Sequence, residues 1–207
     1  GLEYERQIKA KEENVKRLYE NLQLKMIGSI DRENAQNEYD SNKANLEKLK
    51  ELKKGFEKLD FVEIKTYLNS GNVIFSSDAA DTIKITSRIE KMIKNQFGLD
   101  IPVFVISKEE LEDILHHAPD WWGDESQEIY DNLIFIMPPI TFKDVYSEIG
   151  EPKEGLEKIK EYKGTVFWSF SRKDYQKTNW WYKTANANIS TKLTIRTANT
   201  VRKIVGM

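Results

Sequence analysis

Phe61-Val62-Glu63-Ile64-Lys65-Thr66-Tyr67-Leu68, followed by Asn69-Ser70-Gly71-Asn72 and then Val73-Ile74-Phe75-Ser76, is the stretch on which the fold turns. The first eight residues alternate and are rich in β-branched and aromatic types, which predicts a half-buried strand. The next four are turn chemistry, with Gly71 free to take a positive φ. The last four are a return strand, so the run predicts an antiparallel hairpin.

Working outward from it, Asp81 or Thr82 caps a helix that carries Ile83, Ile89, Met92, Ile93 and Phe97 and ends at Gly98. A third strand is expected over residues 101–106, with Pro102 near its start, where proline is tolerated. Ser107 and Glu110 then make a capping box for a helix reaching about His117. The order of elements returns in the second half. Residues 132–137 read as a strand stopped by Pro138-Pro139, and 141–149 as a short helix. A loop containing Gly and Glu precedes a strand at 164–171, then come a helix at 174–187, a strand at 193–197 and a closing helix at 198–205. Alternating helices and strands predict an α+β protein of two ferredoxin-like (α/β plait) halves with antiparallel sheets. The expected divisions are a helical arm over 1–42 and α/β halves over 43–119 and 120–207.

Before the hairpin the pattern is helical. Ile8, Val15, Leu18 and Leu22 lie at helical spacing, and Leu49, Leu52, Phe56 and Leu59 step 3, 4, 3 as in a coiled-coil seam. A break at Gly28-Ser29 between the two makes an N-terminal helical hairpin arm. The alternative reading is a short strand over 22–30.

Composition narrows the classes. The chain has no cysteine, which removes disulfides, thiolate nucleophiles and zinc–cysteine sites and suits a reducing cytoplasm. No apolar run has the length of a membrane helix, and the sequence opens on charged helical residues rather than an apolar leader. Net charge is −2 but unevenly spread. Residues 61–155 hold 8 basic and 18 acidic side chains, and residues 156–207 hold 11 and 3. Such a basic end either binds polyanions or faces the acidic middle of the same fold.

The run Lys65-Thr66-Tyr67-Leu68-Asn69-Ser70-Gly71-Asn72-Val73-Ile74-Phe75-Ser76-Ser77 is similar to the signature of the bacterial domain-of-unknown-function family 1697. Phe97-Gly98-Leu99-Asp100-Ile101-Pro102-Val103 resembles that family's helix-to-strand junction. Thr194-Ile195-Arg196-Thr197-Ala198-Asn199-Thr200-Val201 resembles its C-terminal strand and helix. Tyr175-Gln176-Lys177-Thr178-Asn179 stands where the family usually has Ser-Lys-Leu or Ser-Lys-Thr. The resemblance spans roughly residues 43–207 and implies two ferredoxin-like halves. Family members usually open with a strand and a Gly-rich basic loop, Arg-Gly-Ile-Asn-Val-Gly-Gly-Lys, which this sequence does not reproduce. Lys16-Arg17-Leu18-Tyr19-Glu20 with Gly28-Ser29-Ile30-Asp31-Arg32-Glu33 also resembles, more faintly, the helical hairpin of large serine recombinases.

Four places offer chemistry. Arg172 to Lys183 interleaves Arg172, Lys173, Lys177 and Lys183 with Tyr175, Trp180, Trp181 and Tyr182, the composition of a single-stranded nucleic acid surface. The same residues also suit an amphipathic helix with rings inward and lysines outward. Arg196 and Lys192 are placed to extend a positive face. Asn69, Ser70 and Asn72 form a hairpin tip able to hold an anion or a base edge, or simply to satisfy the turn. His116 and His117 end a helix, where a cationic ring is favoured. The pair Trp121-Trp122 lies in an acidic loop and suits packing between the halves better than a ligand pocket. The sequence holds no Ser-His-Asp order, P-loop, dinucleotide fingerprint or metal-ligand spacing, and no cofactor is implied.

The expected function is a non-catalytic binding module for nucleic acid or nucleotide, with candidate ligand residues Asn69, Ser70, Asn72, Arg172, Lys177, Trp180, Trp181, Lys183 and Arg196. One alternative is an assembly protein that self-associates through its N-terminal helices. The other is an enzyme on a small phosphorylated substrate, which requires Asn69, Asn72, Lys177 and Arg196 to share a cleft.

Overall fold

A computed structural model describes residues 3, 5–13, 29–67 and 71–207 of the chain. They form two compact units, one of residues 1–81 with 87–99 and the other of residues 82–86 with 100–207.

In the first unit, residues 5–13 are helical (α1) and Ser29–Lys58 forms the long helix α2. The proposed Gly28 break and most of the alternative strand lie outside the described residues; Ser29 and Ile30 are helical. Leu46, Leu49, Leu52 and Phe56 are all buried, a stripe at three- and four-residue steps along one face of α2. The Phe56 ring meets Phe61 at 5.9 Å and Phe75 at 5.4 Å, and Phe61 stacks on Phe75 at 4.5 Å. Phe75 belongs to the predicted hairpin, which is present as β1 (Val62–Tyr67) and β2 (Asn72–Ser76), paired antiparallel. A bulge between Val62 and Lys65 puts Glu63 at φ +54°. Lys50 of α2 pairs with Glu12 of α1 at 3.2 Å.

Helix α3 (Thr82–Phe97) follows. Its inward residues are Ile85, Ile89 and Met92, whereas Ile83, expected on the apolar face, is 77% exposed. Its later turns lie close against α2: a Cβ on Gly55 would stand 2.5 Å from Met92 Sδ. A side chain at this position would make Met92 and Gln96 shift, whereas glycine inside a helix costs about 1 kcal/mol against alanine.

The second unit is built on one four-stranded antiparallel sheet. Its strands are β3 (Ile129–Ile136), β4 (Glu157–Tyr162), β5 (Thr165–Ser171) and β6 (Leu193–Thr197), in the order β4-β5-β3-β6. Its helices are α4 (Lys108–His116), α5 (Phe142–Ile149), α6 (Asn179–Asn186) and α7 (Ala198–Val205). From β3 onward the chain reads strand–helix–strand–strand–helix–strand, the element order of an α/β plait. Val145 and Ile149 of α5 and Trp180 of α6 join Ile134, Val166 and Trp168 on one face. Leu111 and Ile114 of α4 and Val201 of α7 join Leu133, Phe135 and Phe167 on the other. Helix α4, grouped by the sequence with the first half, thus contributes to this core. With both faces covered, β3 and β5 are near-continuous apolar runs rather than alternating ones.

Three expectations are corrected. Residues 101–106 make no strand among the described residues. Pro102 lacks an N–H, and the segment serves instead through Phe104 and Ile106, which pack on the α4/α7 side. The loop expected before residue 164 contains strand β4, whose Glu-Lys-Ile-Lys-Glu-Tyr is mostly charged, which is how edge strands are kept from pairing with other chains. The single helix expected at 174–187 is two elements. A 3₁₀ helix, Arg172–Lys177, ends at Thr178, whose extended backbone (φ −75°, ψ 156°) starts α6 afresh.

Candidate functional site

The basic-aromatic segment after β5 is sorted by Thr178. Its hydroxyl donates to Tyr175 O at 2.7 Å and accepts from Trp181 N at 3.3 Å, capping α6. Successive residues on α6 then point about 100° apart, so Trp180 and Trp181 part company.

The inner face of α6 is bonded to the C-terminal end of α5. Trp180 is fully buried (0% exposed) and its Nε1 donates to Gly150 O at 3.1 Å. Lys183 Nζ donates to Ile149 O at 2.9 Å. Asn179 Nδ2 reaches Ile149 O at 2.9 Å and Glu151 O at 2.8 Å. The carbonyls at and just past the end of α5 are thereby satisfied, and an ammonium stands where the helix dipole is negative.

Beneath α6 lies a residue that the sequence reading passed over. Glu157, at the start of β4, is buried and its carboxylate collects four N–H donors. They are Lys153 N at 2.9 Å, Asn179 N at 2.5 Å, Trp180 N at 3.2 Å and Trp168 Nε1 at 3.1 Å. Two of these are the first amides of α6, a position that favours an anion. A buried carboxylate needs full hydrogen bonding to be tolerated, and Glu157 has it. The sequence signal available was the placement of Glu157 and Ile159 two apart, on the inward positions of a strand.

The outer face keeps the other half of the segment. Tyr130 packs against Phe170 at 5.5 Å, Phe170 meets the Trp181 edge at 5.5 Å, and Tyr175 meets Trp181 at 4.8 Å. Trp181 is wedged between rings yet remains 41% exposed, and Tyr182 is 68% exposed. Arg172 lies over the Tyr130 ring, with Cζ 3.9 Å from its centroid. Lys177 pairs with Asp174 at 2.8 Å, and that hydrogen bond holds the Asp174 carboxyl below the usual carboxylate range. Lys173 is exposed beside them.

Within the second unit, Arg196 does not join this surface. Arg196 pairs across the ladder with Leu133, on the α4/α7 face of the sheet, whereas Tyr175 beside Lys177 packs on the opposite face. The Arg196 guanidinium is half-buried, bonds to Thr194 Oγ1 and Ile195 O at 2.9 Å, and has its pKa lowered by that burial. Asn72 belongs to the first unit, where its side chain closes the hairpin onto Tyr67 O at 3.2 Å. Asn69 and Ser70 lie outside the described residues. His117 stacks flat on Tyr162 at 4.3 Å, its Nδ1 2.8 Å from Asp113 O. Lys163 first, and Tyr162, hydrogen-bond Asp113 and hold its carboxyl low. Trp122 is buried inside the second unit, donating to Asn132 O at 2.8 Å and meeting Phe167 edge-on at 5.0 Å. No cluster of metal-ligating side chains occurs among the described residues, and none of their helices is long and apolar enough to cross a membrane.

Three comparisons with known proteins place the chain. The model of a family described as "Protein of unknown function (DUF1697)" matches residues 41–167. No curated protein matches. Among solved structures the chain is similar to conserved bacterial protein SP0830 from Streptococcus pneumoniae, with a TM-score of 0.67 and 23% identity. That match covers 76% of this chain and 87% of that one. At this identity the likeness speaks for the fold alone.

Proposed function

The chain belongs to the DUF1697 family, whose function is unknown, and from that premise we propose that it is a binding module for single-stranded nucleic acid or nucleotide. The binding face is the outer half of the 172–182 segment. One observation carries the reading: Trp181 is fixed edge-on by Phe170 and Tyr175 and still presents part of its ring to solvent, with Arg172 stacked on the adjoining Tyr130. A ring held rigid and partly bare is a stacking platform, and each stacked base is worth about 1–3 kcal/mol. Arg172, Lys173 and Lys177 supply cations for phosphates. In this reading Trp180, Lys183 and Arg196 support the fold rather than the ligand, and no chemical step is required. A cytoplasmic setting accords with the cysteine-free sequence.

The test is Trp fluorescence and anisotropy during titration with short single-stranded DNA and RNA at two salt concentrations. Saturable binding that weakens with salt, and is lost in Arg172→Glu and Trp181→Ser, is the expected result. Binding that survives both substitutions removes this face from consideration.

A further inference from the structure

The first unit carries an open groove of about 450 Å³ that the preceding reading does not use, lined by Lys58, Leu59, Arg88, Lys91, Met92, Asn95 and Gln96. Three of these side chains are cationic, two are amides and none is a carboxylate. Leu59 and Met92 give it an apolar floor, Met92 being buried and Leu59 partly so. Two of the polar groups are set in advance. Arg88 Nη2 donates to Leu59 O at 2.6 Å while its guanidinium lies 5.2 Å from the Phe61 ring centroid. Gln96 Nε2 donates to Glu51 O at 2.6 Å. Lys58 and Lys91 are exposed at its rim.

We infer that this groove binds a small organic phosphate, a phosphate group carried on a flat or apolar body. The charge argument fixes the phosphate end: three cations without a carboxylate among the lining residues favour an anion, and Arg88 is held rigid so that little entropy is lost on contact. The floor fixes the other end, because Leu59 and Met92 reward an apolar body that inorganic phosphate lacks. The size falls within the range of small-molecule sites.

The experiment follows the amide signals of residues 88–96 by NMR during titration of the full chain with phenyl phosphate, phenol and inorganic phosphate. The expected outcome is saturable shifts with phenyl phosphate, with phenol and inorganic phosphate each binding about tenfold or more weakly. Lys91→Glu, an exposed change that leaves the core intact, is expected to weaken phenyl phosphate about tenfold, and Arg88→Gln similarly. Arg172→Glu, on the second unit, is expected to leave it unchanged, which separates this groove from the proposed oligonucleotide face. The absence of saturable shifts at about 10 mM phenyl phosphate overturns the inference. So does equal binding of phenol or inorganic phosphate, or an affinity indifferent to Lys91→Glu and Arg88→Gln.

Discussion

Trp180 and Trp181 are neighbours in the chain, as are the cations around them, yet the two faces of this segment differ in what they meet. On the inner face Trp180, Asn179 and Lys183 close the end of α5 above Glu157, and no buried side-chain polar atom among the described residues lacks a partner. On the outer face Arg172 and Trp181 rest on other rings, and both, with Tyr182, meet solvent. Each face carries an indole and a cation. The difference is set by Thr178, which fixes where α6 begins and therefore which way each residue turns. A run of basic and aromatic residues thus says that rings and cations are present, but helix phase decides which of them reach solvent.

The comparison breaks most sharply at Trp180. Replacing it with Ala removes a fully buried indole and leaves Gly150 O without that donor, so a loss of about 4 kcal/mol in urea unfolding is expected; a loss under about 1 kcal/mol means the inner face is not structural. Glu157→Gln keeps the shape but turns an amide N–H toward amide donors. A loss of about 2–3 kcal/mol is expected by the same measurement. Lys183→Met keeps the stem and deletes the charge at the end of α5. Asn179 still serves Ile149 O, so the cost is about 1 kcal/mol. On the outer face, Trp181→Ser combined with Tyr182→Ser is expected to cost at most about 1 kcal/mol in stability. Oligonucleotide affinity, however, falls about tenfold or more in fluorescence titration if the proposed face is right. The smallest effect concerns the Asp174–Lys177 pair. Its carboxyl is depressed in the folded state, so the pair's contribution is present above the unfolded carboxylate pKa and is lost as pH falls through the folded value. A ¹³C NMR titration should place the Asp174 midpoint below that of the Lys177→Ala variant.

Much of this architecture was legible in the sequence. The β1–β2 hairpin, strands β3, β5 and β6, and helices α4, α5 and α7 carry local signals: alternation, β-branched runs or, before α4, the Ser107–Glu110 capping box. What stayed hidden depends on neighbours distant in sequence. Strand β4 exists because it pairs along β5, and its charges suit an edge position rather than advertising a strand. Glu157 looked like one more loop carboxylate because its four donors come from residues 153, 168, 179 and 180. The seam Leu49-Leu52-Phe56 is buried, and its Phe56 meets Phe61 and Phe75, rings that arrive later in the chain. For the candidate site, residue types were readable and residue directions were not.

The four-donor arrangement at Glu157 has a consequence for how the second unit opens. One carboxylate accepts from the amides of Lys153, Asn179 and Trp180, so lifting the start of α6 strips the same acceptor that holds the loop before β4. These amides are therefore expected to open together, with hydrogen exchange that follows one shared free energy rather than three local ones. The ledge that carries Trp181 inherits that stability. It is a surface that does not fray by itself, because its helix start is clasped to the edge of the sheet.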